Sequence, residues 1–219
     1  MSDVETELIK AEVATATEQG KDLHAIVRDI TLRAMSRRTM SLSEIMGVVR
    51  AVTEGVTVGL GRRAGEIKDA VREALSGLDE ALQKAAESTK LAAQQLIAQG
   101  KEFGEHDFKP ALNELKQMEE MFLNTVSKVS EAAGGRIKEE FASQLSHIRR
   151  SGTDSGRAVA ATLTDFGHTA GSSLKSGALQ TAEAAVEMKQ RLTLLASGIL
   201  AGMADALQEK AKPGERKAR

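Results

Sequence analysis

The chain of 219 residues contains no cysteine, tryptophan or tyrosine and only two prolines. The lack of cysteine excludes disulfide bonds, thiolate catalysis and zinc–thiolate sites, which fits a reducing compartment. Five phenylalanines are the only aromatic residues, so a buried core must be largely aliphatic. Because proline and runs of β-branched residues are scarce, the composition predicts an all-α fold.

An excess of charge of one sign is also missing, since 30 basic and 31 acidic residues give a net charge of −1. Without a basic stripe or tyrosine and tryptophan to stack on bases, we expect no nucleic-acid partner. The first residues carry Asp3, Glu5 and Glu7, where a secretory signal would be basic and then apolar. We therefore expect a cytoplasmic protein, with peripheral contact to a membrane or inclusion left open.

What the chain does contain is helical periodicity. From Ile45 to Ala85, apolar or small residues recur about every 3.6 residues, and a capping box, Ser41 with Glu44, precedes this stripe. The same reading along the whole chain predicts four helices, which span residues 3–37, 42–103, 108–149 and 156–211. The basic residues 212–219 are predicted to be a disordered tail.

The sequence also predicts two turns between helices and one kink within a helix. The segments 104–110 and 149–156 are rich in turn-forming residues, with Asp107 capping one helix and Asp154 or Ser155 capping the next. Gly134 and Gly135 are expected to kink the third helix. Periods of about 3.6 to 3.67 favour nearly straight helices over a left-handed heptad coiled coil. The prediction is one elongated antiparallel bundle over 1–211, with two very long helices.

Glycines spaced four residues apart are unusually frequent for helical segments, in which each glycine costs about 1 kcal/mol relative to alanine. Small residues one turn apart allow close approach of two helix backbones, within one chain or between chains. The glycines predicted to serve helix packing or assembly are Gly55, Gly59, Gly61, Gly65, Gly167, Gly171, Gly198 and Gly202.

Residues 192–204 form an uncharged run of thirteen residues between Arg191 and Asp205. A membrane-spanning helix needs about 20 apolar residues, so this run favours a buried helix or a shallow contact with an apolar surface. The side chains predicted to make that contact are Leu192, Leu195, Ile199 and Met203.

No constellation typical of catalysis or metal binding occurs in the sequence. The four histidines are dispersed, and Asp165 with His168 is best explained as an ordinary pair on a solvated helix surface. The glycines at 55–65 are not followed by the Lys-Ser or Lys-Thr of a phosphate-binding loop. We expect a protein that is not an enzyme and has no cofactor, no metal and no small-molecule substrate.

Two stretches, VREALSGLDEALQKAAESTKLAAQ (71–94) and HIRRSGTDSGRAVAATL (147–163), together with LASGILAGMADAL (195–207), carry a resemblance. They resemble an uncharacterised bacterial family of all-helical proteins, which supplies no functional residues. At the level of class only, the chain is also similar to phasins, which coat storage granules, and to apolipoproteins. Residues 76–85 and 201–211 form a faint internal echo, which leaves a duplication open.

Narrow apolar stripes on such long helices predict a homo-oligomer. The leading hypothesis is a non-enzymatic, self-associating scaffold or coat protein that engages an apolar surface: a lipid or storage-granule surface, a membrane face or like subunits. The alternative is a purely soluble oligomeric coiled-coil adaptor or filament subunit without lipid contact.

Overall fold

The computed structural model describes residues 2–20, 22–36, 40–63, 65–98 and 105–173, with side chains described except at 96–98, 105–112 and 166–173. Within these ranges every regular element is an α-helix, which confirms the all-α prediction. The helices are α1 (Asp3–Gln19), α2 (Leu23–Ser36), α3 (Leu42–Arg62), α4 (Ile67–Ala98), α5 (Glu105–Ala133), α6 (Gly135–Ser151) and α7 (Asp154–Ser173).

Two of these helices begin at a capping box. The Ser41 side chain accepts the backbone N–H of Glu44, whose carboxylate accepts the N–H of Ser41 in return, as the sequence predicted. Ser2 and Glu5 make the same reciprocal pair at the start of α1. Each box satisfies backbone donors that the first helical turn leaves without partners.

The predicted first helix, 3–37, is divided into α1 and α2 at Gly20. This glycine adopts the left-handed conformation at φ 69° and closes α1 with a hydrogen bond to the Ala16 carbonyl. The chain then folds back, because Arg33 of α2 lies 2.6 Å from the Glu12 carboxylate of α1. The interruption of the apolar pattern near Gly20 is therefore a complete helix end.

The prediction of one helix over 42–103 is also wrong. Helix α3 ends at Arg62, Arg63 is extended, and Gly65 adopts φ 148° before α4 begins at Ile67. The break is not visible in the apolar stripe, because a four-residue linker is close to one helical turn and the apolar positions continue in phase across it. Each helix buries its own part of the stripe, with Val49, Val52, Val56 and Leu60 on α3 and Val71, Leu75, Leu78 and Leu82 on α4.

The predicted third helix, 108–149, differs at its start and in its middle. Asp107 is no cap, because it lies inside α5, which begins at Glu105. Gly134, at φ 68°, separates α5 from α6, whose first residue Gly135 has φ 52°, so the predicted kink is a full break. The two helices form a hairpin, because Thr153, just beyond α6, hydrogen-bonds to Glu119 in the middle of α5.

The ion pairs between helices show the direction of two packed neighbours. Lys10 pairs with Glu54, and Glu18 pairs with Arg62 further along both helices, so α1 and α3 run parallel. Helix α7 runs parallel to α4, because Ser155 bonds to Asp79 and Asp165 pairs with Lys90. Further contacts join α2 to α4 and α5 to α3.

Most of the described apolar side chains of α1 to α7 pack against one another within the chain. Phe122, Phe141, Leu23, Leu32 and Val48 are among the fully buried side chains of a single apolar cluster. In the part of the chain that the structure describes, the large apolar side chains that remain exposed are Val4, Leu8 and Leu91. The stripes on these helices therefore form an internal core.

Candidate assembly and helix-joining sites

Gly55 and Gly59 lie one turn apart on α3, directly beneath α1. A Cβ atom at Gly55 would stand 2.6 Å from the Lys10 carbonyl oxygen, and one at Gly59 would stand 2.5 Å from the Ala14 carbonyl oxygen. Since the obstructing atoms belong to backbone, no side-chain rotation can relieve the clash. We call this contact of Lys10, Ala14 and Thr17 with the two glycines the α1–α3 seam.

The other two predicted glycines of this region lie elsewhere. The Cβ position of Gly61 has no atom within 4 Å, although Gly61 is only two residues from Gly59. Gly65 falls in the linker between α3 and α4, where its φ of 148° favours glycine. A spacing of four residues does not reveal which face of a helix the glycines occupy. The structure therefore brings together one of these pairs and not the other.

Gly77 of α4 makes the same kind of contact but was missed from the sequence. A Cβ atom there would lie 2.4 Å from the His24 carbonyl oxygen of α2. Gly77 has no glycine four residues away, so the Gly-xxx-Gly pattern passes over it. A usable signal was the small-residue row 70, 74, 77 and 81, in which each alanine is buried.

The remaining predicted contact residues lie at the carboxyl-terminal end of the chain. Gly167 and Gly171 are within α7, in the part whose surroundings the structure does not describe. Outside the described residues lie Gly198, Gly202, Leu192, Leu195, Ile199 and Met203. Their assignment to assembly or to an apolar surface stays a prediction.

Two carboxylates from different helices hold the start of α7, at a site we call the α7 junction. Asp79 of α4 accepts the backbone N–H of Asp154 at 2.6 Å and, through its other oxygen, the N–H and hydroxyl of Ser155 at 3.1 and 2.5 Å. Glu119 of α5 accepts the N–H and hydroxyl of Thr153 at 3.1 and 2.6 Å. These bonds satisfy donors that a helix start leaves free.

The cap of α7 is Thr153 rather than the predicted Asp154 or Ser155. Its Oγ accepts the backbone N–H of Gly156 at 2.8 Å while its own hydroxyl donates to Glu119. Gly156 leaves room for the same carboxylate, because a Cβ atom there would lie 2.5 Å from the Glu119 carboxyl carbon. One threonine thus joins a local cap to a tertiary hydrogen bond.

The α7 junction is largely shielded from water, since Thr153 and Ser155 are buried. Burial raises the pKa of Asp79, and the hydrogen bonds from Ser155 and from the Asp154 backbone oppose that rise. The direction of the pKa change means that desolvation of the Asp79 carboxylate outweighs the donors that stabilise it. The turn at 149–156 is visible in the sequence, but its partners Asp79 and Glu119 are not, because they are distant from it along the chain.

Neither metal-binding nor membrane-spanning geometry occurs among the described residues. They contain no group of three or more histidine, aspartate or glutamate side chains placed to hold a metal ion. Nor does any described helix combine the length and apolarity needed to cross a bilayer. Asp165, which the sequence paired with His168, lies in an ion pair with Lys90 of α4.

The comparisons with known proteins give a family. The chain belongs to a family of unknown function, DUF6781, which matches it over residues 1–209. This confirms the resemblance to an uncharacterised helical family and extends it to the amino-terminal helices. No curated protein and no solved structure matches the chain.

Proposed function

We propose that the protein is a non-enzymatic helical scaffold that works in solution as a closed bundle and associates with further copies of itself. The observation that carries this proposal is that most of the described apolar side chains of α1 to α7 pack into one cluster within one chain. A helix whose stripe is already buried has no long apolar face left for a lipid surface. This favours the adaptor alternative over a coat for this part of the chain.

The use of two partly buried acidic side chains supports a structural role. Asp79 and Glu119 converge from different helices, as the acids of an active site do, but their oxygens receive the donors at the start of α7. Groups engaged in this way join helices.

Self-association is proposed to involve residues 192–211. When residues 201–211 are aligned with residues 76–85, Gly202 falls at the position of Gly77, and Gly77 allows the α2 backbone to approach α4. A segment with the same small-residue pattern is suited to receive a helix of another chain. The run of uncharged residues at 192–204 supports the same role.

The proposed arrangement of residues 1–211 is a single elongated bundle with mostly antiparallel connections. Helix α4 has 32 residues and is therefore about 48 Å long, which slightly exceeds the diameter of a compact globule of this chain length, whose radius of gyration is about 17 Å. Small-angle X-ray scattering should give a clearly larger value for the monomer unit. A value near that of the globule would contradict the elongated shape.

The experiment that tests self-association is light scattering coupled to size-exclusion chromatography over a range of concentrations. We expect a discrete oligomer for the wild type and a smaller species for Gly202→Leu, because leucine would crowd the proposed helix contact. Gly61→Leu is the matched control, since the Cβ position of Gly61 is open. A monomer at all concentrations, or equal masses for both variants, would overturn the proposed contact.

A second candidate function is a coat on an apolar surface, in the manner of phasins. Its support is the exposure of Val4 and Leu8 on one face of α1, together with Leu192, Leu195, Ile199 and Met203 in the uncharged run. Sedimentation with phosphatidylcholine vesicles distinguishes the two. A closed scaffold stays in the supernatant, whereas a coat moves to the vesicles and loses that affinity in Leu8→Asp or Ile199→Asp.

A further inference from the structure

A groove of about 410 Å³ lies where α1, α3 and α5 meet. Its volume is in the range of ligand pockets, roughly 300 to 1,000 Å³. Successive turns of α3 form one wall of the groove, and the carboxyl-terminal end of α5 forms the other. The lining side chains are Lys10, Arg50, Glu54, Thr57, Val58, Lys128, Val129, Ala132 and Ala133.

The charged side chains that line this groove are one ion pair next to the α1–α3 seam and two further cations. Because Gly55 lets α1 settle on α3, Lys10 lies 3.2 Å from the Glu54 carboxylate, and these two charges offset each other. Arg50 and Lys128 are exposed, and neither forms an ion pair with any carboxylate of the described residues. The lining therefore has three cations and one anion, with a surplus of two positive charges.

The remainder of the lining is apolar except for Thr57, whose hydroxyl donates to the Glu54 carbonyl oxygen. Val58 and Val129 are half-buried, and Ala132 and Ala133 continue the same surface at the end of α5. Cations beside an apolar wall fit a ligand with an anionic group and a short hydrocarbon part. Neither a bare inorganic anion nor a neutral hydrocarbon matches both features.

We propose that this groove binds a small amphiphilic anion, a carboxylate or phosphate monoester that carries a short apolar group. Arg50 and Lys128 contact the anionic group, and Val58 with Val129 covers the apolar part. Arginine is suited to this task because its guanidinium can hold two oxygens of a carboxylate or phosphate at once. The site is independent of the proposed self-association and departs from the sequence-based expectation that no small molecule takes part.

Isothermal titration calorimetry with the full chain tests the proposal, with octanoate and octyl phosphate as probes. We expect both to bind, and inorganic phosphate and octanol to bind at least about tenfold more weakly, since each lacks one half of the recognition. Raising the salt concentration from about 0.1 M to about 1 M should weaken octanoate binding, because it shortens the screening length to about 3 Å.

Two pairs of variants assign the binding to the groove. Lys128→Gln should weaken octanoate binding about tenfold, as the loss of a charge-assisted contact does, whereas Lys116→Gln on the exposed surface of the same helix should not. Ala132→Glu places a carboxylate in the groove and should abolish binding, while Ala160→Glu on exposed α7 surface is its control.

Circular dichroism separates a lost site from a lost fold, since all four positions are exposed and the variants should melt as the wild type does. Failure of octanoate and octyl phosphate to bind at millimolar concentration would overturn the proposal. Equal affinities for Lys128→Gln and Lys116→Gln would do the same. Neither result bears on the oligomer mass, so this outcome and that of the scaffold proposal can be told apart.

Discussion

The α1–α3 seam and the α7 junction both join helices that are far apart in the sequence, but they do so by opposite means. At the seam, Gly55 and Gly59 have no side chain, and carbonyl oxygens of α1 therefore lie only 2.5 to 2.6 Å from the positions that Cβ atoms would take. At the junction, the long polar side chains of Asp79 and Glu119 reach across to the backbone of α7.

This difference determines how each contact responds to change. A backbone oxygen cannot move out of the way without moving its helix, so the seam tolerates almost no added volume. The Glu119 carboxylate is the end of a flexible side chain, and the Asp79 carboxyl can take up a proton. The stability that the seam contributes should therefore depend on added side-chain volume and not on pH. The stability that the junction contributes should depend on pH and tolerate added volume better.

The sharpest test of the seam is Gly59→Ala. The added Cβ atom would meet the Ala14 carbonyl oxygen and Thr17 Cβ at 2.5 Å, so we expect the free energy of unfolding to fall by about 3 kcal/mol. Gly61→Ala makes the same change two residues away in open space and should raise it by about 0.8 kcal/mol. Urea unfolding followed by circular dichroism measures both. Effects of the same sign would contradict the geometry of the seam.

At the junction, Asp79→Ala removes the acceptor for three donors of α7. Leaving the N–H groups of Asp154 and Ser155 with poorer partners should lower the free energy of unfolding by about 2 kcal/mol. Asp69→Ala, which removes an exposed carboxylate that pairs with Arg72 on the same helix, should cost less than about 1 kcal/mol. Chemical denaturation of both variants checks this. A smaller loss for Asp79→Ala than for Asp69→Ala would show that the junction does not hold α7.

Gly156→Ala tests whether the junction yields where the seam does not. The new methyl group displaces the Glu119 carboxylate and breaks its bonds to Thr153, for which we expect a loss of about 1 kcal/mol. In a Glu119→Ala background the obstruction is absent, so the same substitution should stabilise the helix by up to about 1 kcal/mol. A double-mutant cycle measures this coupling. If Gly156→Ala costs as much unfolding free energy in the Glu119→Ala background as in the wild type, the clash is with backbone atoms and not with the Glu119 side chain.

The effect of pH should be the smallest and confined to the junction. Because burial raises the pKa of Asp79, the folded protein binds a proton more tightly than the unfolded chain. Asp79 therefore contributes stability below the ordinary pKa of an aspartate, and this contribution is lost as pH rises through the raised pKa of the folded protein. The wild type relative to Asp79→Asn should lose less than about 1.4 kcal/mol per pH unit in that window.

Unfolding measured at several pH values gives this difference directly. Gly59→Ala serves as the control, because its deficit relative to the wild type should be the same at every pH. A wild type that gains stability relative to Asp79→Asn as pH rises would mean that the donors of α7 outweigh desolvation of the carboxylate.

How far the sequence could lead differs between these regions. The glycine pair at 55 and 59 was visible as a pattern, but nothing separated it from the pair at 61 and 65, because spacing carries no information about the neighbouring helix. The turn at 149–156 was also visible. Its acceptors were not, since Asp79 lies 75 residues before Asp154 and resembles any polar residue of a helix surface.

The sequence by itself determined the helical class, the capping box at Ser41 and the buried stripes of α3 and α4, since these depend on neighbours within a turn or two. The tertiary structure decided where Gly20, Gly65 and Gly134 divide the predicted helices, because a short linker preserves the helical phase. It also decided which glycines pack against the backbone of another helix and which carboxylates accept hydrogen bonds from the start of α7. Those choices depend on contacts between residues that are distant along the chain, and only packing brings such residues together.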